Sequence, residues 1–133
     1  MELENSIVQM RKGVLDYCVL SLLSKDDLYA SDIIKKLKES ELIIVEGTLY
    51  PLLNKLKNNN LLTYRWEEST QGPPRKYYRL TPEGELLLTK LDESWTELVS
   101  TIESIKNNPV KLKLPEAGFI EEAEAKNLPE KQQ

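Results

Sequence analysis

Apolar residues recur at intervals of three and four along most of the chain, which is the periodicity of α-helices with one buried face. The pattern predicts three helices in the first half of the chain, over residues 5–23, 31–39 and 47–59. A fourth, long helix begins with Thr81 as the expected N-cap, followed by Pro82 and Glu83, and it ends before Asn107. Gly13 lies within the first helix and weakens the prediction of one continuous element there.

The third helix combines a leucine stripe with an unusual opposite face. Its inward residues are Leu49, Leu52, Leu53 and Leu56. At about 100° per residue, the opposite face holds Gly47, Pro51, Asn54 and Asn58. With Thr48 as the N-cap, Pro51 falls in the first turn, where its missing N–H costs no hydrogen bond. Glu, Lys and Ala would be usual on a surface helix, so the small and amide side chains indicate close approach to a groove.

Two β-strands follow the third helix. Residues 62–67 alternate apolar and polar side chains, residues 76–80 form the return strand, and the loop 68–74 between them protrudes. The β-branched run 42–45 favours one more short strand. The main elements up to the return strand describe a winged helix-turn-helix, whose third helix enters a DNA major groove and whose hairpin is the wing. The predicted fold class is mainly α with a small β hairpin.

The last helix carries a heptad seam of apolar residues. Spacings of 3, 4, 3, 4 and 3 join Leu88, Leu91, Trp95, Leu98, Ile102 and Ile105. Packing against the chain's own core is the alternative, but the helix extends past a small domain, so a second copy of the chain is expected to cover the seam. The predicted organisation is a DNA-binding domain over 1–80, a dimerisation helix over 81–106 and a flexible tail over 107–133, with a short helix near 120–126.

Composition excludes several classes of protein. The 133 residues suffice for one domain and a tail, and no apolar run approaches the roughly 18–20 residues of a membrane span. The acidic N-terminus lacks the apolar region of a signal peptide, so a cytoplasmic protein is expected. The chain has no histidine and one cysteine, which removes the usual catalytic bases, nucleophile pairs and zinc sites. We expect neither an enzyme nor a bound cofactor or metal.

The single cysteine, Cys18, falls on the apolar face of the first helix. A core position is expected for it, with a redox-sensing thiol as the alternative. One cysteine cannot form an internal disulfide, which agrees with a reducing compartment.

The net charge of −4 conceals a basic segment. Residues 42–80 hold six basic side chains against three acidic ones, whereas residues 81–133 hold six against eleven. Positive charge is thus concentrated on the third helix and the hairpin, as a phosphate-binding face requires. Arg65 and Arg79 lie within the strands and fit a structural role equally well.

Three segments resemble the PadR family of transcriptional regulators. Residues 47–56, Gly-Thr-Leu-Tyr-Pro-Leu-Leu-Asn-Lys-Leu, are similar to the recognition helix of that family. Residues 72–84 are similar to its wing and the start of its dimerisation helix, and residues 10–15 to the start of its first conserved helix. The resemblance implies a homodimeric, ligand-responsive repressor with an N-terminal winged helix. Two positions depart from the family: Ala30-Ser31 stands where Gly and an aromatic are usual, and Asn60 stands where Gly is common.

Seven residues of the third helix and the wing are the candidate DNA contacts: Thr48, Tyr50, Pro51, Asn54, Lys55, Arg75 and Lys76. The tyrosine and the two lysines suit phosphate oxygens, while Thr48 and Asn54 can reach base edges. Arg75, next to a Gly-Pro-Pro loop, fits phosphate or minor-groove contact, and the alternative is a solvated hairpin tip. The alternative function is a winged-helix module that binds only other proteins.

Trp95 is an awkward residue in a tight seam because its volume forces the helices apart. It either fills the space where two dimerisation helices diverge or lines a pocket on the dimer axis. Some PadR-like regulators bind flat compounds at their dimer interface, so the resemblance favours a small aromatic or amphipathic effector that stacks on Trp95. The expected partners are therefore an operator in duplex DNA, a second copy of the chain, and this effector.

Overall fold

The computed structural model describes residues 2–108, which form a mainly helical fold with a small antiparallel sheet. The elements in chain order are α1 (Glu2–Gly13), α2 (Leu15–Leu23), β1 (Leu28–Tyr29), α3 (Ala30–Glu39), α4 (Glu46–Asn58), β2 (Leu62–Glu67), β3 (Arg75–Leu80) and α5 (Pro82–Asn107). The predicted fold class is confirmed. The tail from residue 109, with the helix predicted near 120–126, lies outside the described residues. The chain divides into two compact units, one over residues 1–93 and one that begins at Ser94.

Within residues 2–108, the sheet has three strands in the order β1-β3-β2. The predicted hairpin is confirmed as β2 and β3, which pair with Leu62 opposite Leu80 and Trp66 opposite Lys76. The third strand was not predicted: β1 is two residues long and pairs with β3 so that Leu28 lies opposite Tyr78. The sequence signal for so short a strand is weak, because two residues cannot display an alternation.

The strand predicted over residues 42–45 is wrong. The Leu42 N–H donates to the Leu37 carbonyl at 2.8 Å, which closes α3, and the Val45 carbonyl accepts from Thr48 and Leu49 at the start of α4. The backbone of this segment therefore joins two helices instead of pairing with a strand. Its apolar side chains differ in burial, since Ile44 is buried whereas Ile43 is 74% exposed.

The predicted first helix is divided in two. Gly13 ends α1, and Val14 leaves the helical conformation with φ −109° and ψ 5° before α2 begins. The expected weak point at Gly13 is therefore a break. The apolar residues of the two helices also differ in burial, because Val19 and Leu20 of α2 are fully buried whereas Met10 of α1 is 76% exposed.

Helix α4 starts earlier than the leucine pattern predicted. Val45 is its N-cap, and Thr48 lies inside the helix. Pro51 is consequently the sixth residue of α4, so its predicted place in the first turn is wrong. Without an N–H, Pro51 cannot donate to the carbonyl of Gly47 four residues earlier. Gly47 is exposed and a Cβ there would meet nothing within 4 Å, so water has room to reach that carbonyl.

The leucine stripe of α4 is buried, as predicted. It packs in one cluster with α2, α3 and the sheet, and the fully buried large side chains are Leu20, Ile33, Leu49, Leu53, Leu56, Leu62 and Val19. Burying a side chain of this size contributes about 1.5–3 kcal/mol. The stripe therefore fixes which side of α4 faces solvent.

The junction between α4 and β2 uses a left-handed residue. Asn60 has φ 64°, the Asn60 N–H donates to the Lys57 carbonyl, and the Leu61 N–H donates to the Leu56 carbonyl at 2.9 Å. Asparagine thus takes the left-handed position after the helix for which glycine is the usual residue. The predicted cap of α5 is confirmed: the Thr81 hydroxyl accepts from the Gly84 N–H at 2.9 Å and donates to the Asn60 carbonyl at 2.7 Å.

Candidate nucleic-acid interface

The outward side of α4 has two flanks that face different parts of the first unit. At about 100° per residue, Tyr50, Asn54 and Lys57 lie toward one side and Thr48 and Lys55 toward the other. The contacts agree with this division. Tyr50 and Asn54 line a cleft against the hairpin, whereas Lys55 reaches α2. The candidate residues of α4 are therefore divided between its two flanks.

The cleft between α4 and the hairpin, here called the wing cleft, has a volume of about 370 Å³. Its lining residues are Tyr29, Ala30, Ser31, Tyr50, Asn54, Trp66, Pro74, Arg75, Lys76 and Tyr78. Four of the candidate DNA contacts, two from the helix and two from the hairpin, thus meet here although 21 to 26 positions separate them in sequence. Pro51 is exposed on the outward face of α4.

Aromatic rings hold the cations of the hairpin. The Arg75 guanidinium lies 3.8 Å from the centroid of the Tyr29 ring, with its Nη1 3.5 Å from the Ser31 hydroxyl. The Lys76 ammonium lies 4.5 Å from the Tyr64 centroid and 5.6 Å from that of Trp66. Such contacts restrain long side chains while leaving their charge uncompensated. Arg75 is thereby held beside the start of α3, and Lys76 is held against β2.

The other two strand arginines are held by carboxylates. Arg65 donates to Glu67 at 2.7 Å and to Asp27 at 3.0 Å, and Arg79 lies 3.5 Å from the same Asp27 carboxylate. These pairs favour the structural role for both arginines.

The second flank of α4 has its own cleft of about 290 Å³, which Thr48 lines together with Arg11 and Lys12 of α1. The Lys55 ammonium forms an ion pair with Asp16 at 2.8 Å, with both side chains around half exposed. An exposed pair contributes only about 0–1 kcal/mol, so a phosphate can compete for Lys55.

Sequence reasoning missed several residues that line these clefts and one that lies near the hairpin. Lys57 approaches the hairpin, and Trp66, expected on a half-buried strand face, is 61% exposed. Nothing in the sequence marks Arg11 and Lys12 as cleft residues, since basic residues on an amphipathic helix usually face solvent. For Lys57 the helical angle it shares with Tyr50 and Asn54 is a usable signal.

The predicted seam of α5 divides between core and surface. Leu88 is buried and Leu91 partly buried in the core of the first unit, so for these two the alternative of packing within the chain is correct. The later seam residues are exposed by 43 to 66%: Trp95, Leu98, Ile102 and Ile105. Val99, which the heptad spacing omits, is 39% exposed. An exposed apolar stripe of this kind is typical of an interaction surface.

Cys18 packs against the core of the first unit. Burial raises the pKa of its thiol, so little thiolate is present at neutral pH. Both observations favour the core position over a redox sensor. Across residues 2–108, no cluster of His, Cys, Asp or Glu could hold a metal ion, and none of the helices described there is long and apolar enough to cross a membrane.

Comparison with known proteins identifies one family. Residues 19–90 match the PadR-like family of transcriptional regulators. A PadR-like transcription factor from Bacteroides fragilis is 62% identical, with a TM-score of 0.67 over 76% of this chain and 98% of that chain. A PadR family regulator from Eggerthella lenta is 30% identical, with a TM-score of 0.74 over 80% and 93%. A PadR-like regulator from Bacillus cereus is 32% identical, with a TM-score of 0.67 over 75% and 98%.

Proposed function

Because the chain belongs to the PadR-like family of transcriptional regulators, and is thus a DNA-binding regulator and not an enzyme, we propose that it is a homodimeric repressor whose operator binding responds to a small ligand. The recognition element is α4, and the wing is the β2–β3 hairpin. The single observation that carries this proposal is the wing cleft, where Tyr50 and Asn54 of the helix meet Arg75 and Lys76 of the hairpin.

Each side chain of the interface has a role that its chemistry suits. The Asn54 carboxamide has a donor and an acceptor, which match N7 and the amino group of adenine in the major groove. Tyr50, Arg75 and Lys76 donate to phosphate oxygens on the wing side. Thr48 reaches a base edge and Lys55 a phosphate on the second flank. Pro51 presents no polar group, which lets the helix approach the groove closely.

Dimerisation rests on the exposed stripe of α5 beyond Ser94. Trp95, Leu98 and Ile102 are each more than 40% exposed in the single chain. Covering such residues with the same stripe of a second copy stabilises a two-fold dimer. A dimer of this kind binds paired half-sites about one helical turn apart.

Selection of bound fragments from the source genome, followed by titration of the selected duplex at several salt concentrations, tests the proposal. Phosphate contacts release counterions, so log K is expected to fall linearly with log salt, by about 0.9 for each phosphate contacted. A module that binds only proteins would select no fragment and show no salt-dependent duplex binding.

Replacement of Asn54 by alanine tests the base contact. The variant is expected to bind the selected duplex about 1–3 kcal/mol more weakly and to accept other bases at one operator position. Asn107→Ala removes the same side chain from the end of α5 and is expected to leave binding unchanged. Competition titrations with single-base variants of the duplex measure both effects. If the Asn54→Ala variant kept the base preference of the wild type, Asn54 would not be a base-contacting residue.

The proposed effector stacks on Trp95 at the dimer axis. In a Trp66→Phe background, fluorescence reports Trp95 alone, so planar cationic drugs and phenolic acids are titrated against that variant. Saturable quenching and weakened operator binding are expected for a true effector, because it must favour the DNA-free geometry. Calorimetric titration of Trp95→Leu is the control and is expected to show no binding. A panel without any response leaves Trp95 as a packing residue.

A further inference from the structure

Two lysines from different elements approach the same aromatic ring. The Lys57 ammonium, from the last turn of α4, lies 5.7 Å from the centroid of Tyr64, and the Lys76 ammonium, from β3, lies 4.5 Å from it. The two nitrogens are therefore within about 10 Å of each other and repel. Lys57 is not among the residues to which sequence reasoning gave a role.

No carboxylate among residues 2–108 forms an ion pair with either of these lysines, although other cations of the same region are compensated. Lys55 pairs with Asp16 at 2.8 Å, and Arg65 pairs with Asp27 at 3.0 Å. Two uncompensated ammonium groups on one ring thus form a local concentration of positive charge. A bound anion would relieve their repulsion.

The ring that the lysines share is held rigidly. Tyr64 is half-buried and lies directly opposite Tyr78 in the sheet, with ring centroids 5.7 Å apart. Trp66 meets it edge to face at 6.0 Å. Tyr64 therefore contacts the end of α4 through Lys57 and the return strand of the wing through Lys76.

We propose that Lys57 and Lys76 bind the same backbone phosphate of the bound duplex, with Tyr64 as the positioning residue that contacts both lysines. This rests on the proposed function and deepens it. One phosphate held from both sides ties the wing to the recognition helix and so fixes the register of α4 on the duplex. Because the two lysines contact only a backbone phosphate, this contact does not depend on the base sequence.

Single methylphosphonate substitutions, which neutralise one phosphate at a time, test this on the duplex obtained in the genomic selection. Wild-type chain is expected to lose about tenfold in affinity or more at one position, since a charged contact disappears there. In Lys57→Ala and in Lys76→Ala, the loss at that same position is expected to fall severalfold, because only one of the two ammonium groups remains to contact the phosphate. Lys57→Arg is expected to restore it.

Two variants act as controls. Lys90→Ala removes an exposed lysine of α5 and is expected to leave the penalty at that phosphate unchanged. Tyr64→Leu, once thermal unfolding confirms that it is folded, is expected to reduce the penalty at the same phosphate only. Separate phosphates for Lys57 and Lys76, or an unchanged scan in Lys57→Ala, would overturn the shared contact while leaving DNA binding intact. Absence of duplex binding by the wild-type chain would instead overturn the proposed function as well.

Discussion

Replacing Leu98 and Ile102 together with aspartate is expected to abolish the dimer and, with it, tight operator binding. Both side chains are about half exposed in the single chain, so the winged-helix unit does not need them to fold. In the dimer the double variant buries four carboxylates, each at an effective cost of several kcal/mol. An affinity loss of more than about a thousandfold follows, since every 1.4 kcal/mol is a factor of ten.

Sedimentation velocity and titration of a duplex with two half-sites measure the two consequences. Ser100→Asp with Ser104→Asp is the matched control, because it adds the same charges to the opposite face of α5 and is expected to leave the dimer intact. Circular dichroism checks that both double variants are folded. A folded Leu98→Asp, Ile102→Asp dimer of unchanged affinity would rule out this stripe as the interface.

Replacing Gly84 by alanine is expected to destabilise the fold strongly. Among the glycines that the structure describes, it is the one at which an added methyl group should cost the most stability. The new Cβ would lie 2.2 Å from the Leu61 carbonyl oxygen and 3.3 Å from Leu80 Cδ2. That carbonyl accepts the Thr81 N–H at 3.1 Å, and the Leu61 N–H is itself bonded to Leu56. Because these two hydrogen bonds hold the backbone of Leu61 in place, it cannot move away from the new methyl group. The first turn of α5 must therefore move away from the junction between α4 and β2.

The expected cost is about 3 kcal/mol, the upper part of the range for overpacking, even though alanine gains about 1 kcal/mol in helix propensity over glycine. Urea unfolding at a fixed protein concentration measures it, because a dimer's stability depends on concentration. Gly47→Ala is the control, since its Cβ would meet nothing within 4 Å and no loss is expected. Equal stability of Gly84→Ala and wild type would refute the close approach of α5 to Leu61.

The leucine stripe of α4, the hairpin and the cap of α5 were predictable because each is specified by neighbours in sequence. The stripe from Leu49 to Leu56 repeats within two turns, and Thr81 caps a helix whose first donors lie three residues away. Four of the candidate DNA contacts meet in the wing cleft for a related reason: the burial of one face of α4 and the register of one hairpin orient them.

The elements that could be predicted are thus those whose hydrogen bonds and apolar faces involve residues close together in the chain. Pairing across the fold depends instead on tertiary contacts: β1 joins Leu28 to Tyr78, fifty positions apart, while the more strand-like run 42–45 pairs with no strand among residues 2–108. Tertiary contacts also determine that Lys55 pairs with Asp16 while Lys57 lies near the Tyr64 ring. The reason is physical: a side chain's partner depends on which other element packs beside it, and the free energy of that packing is shared among residues far apart in sequence.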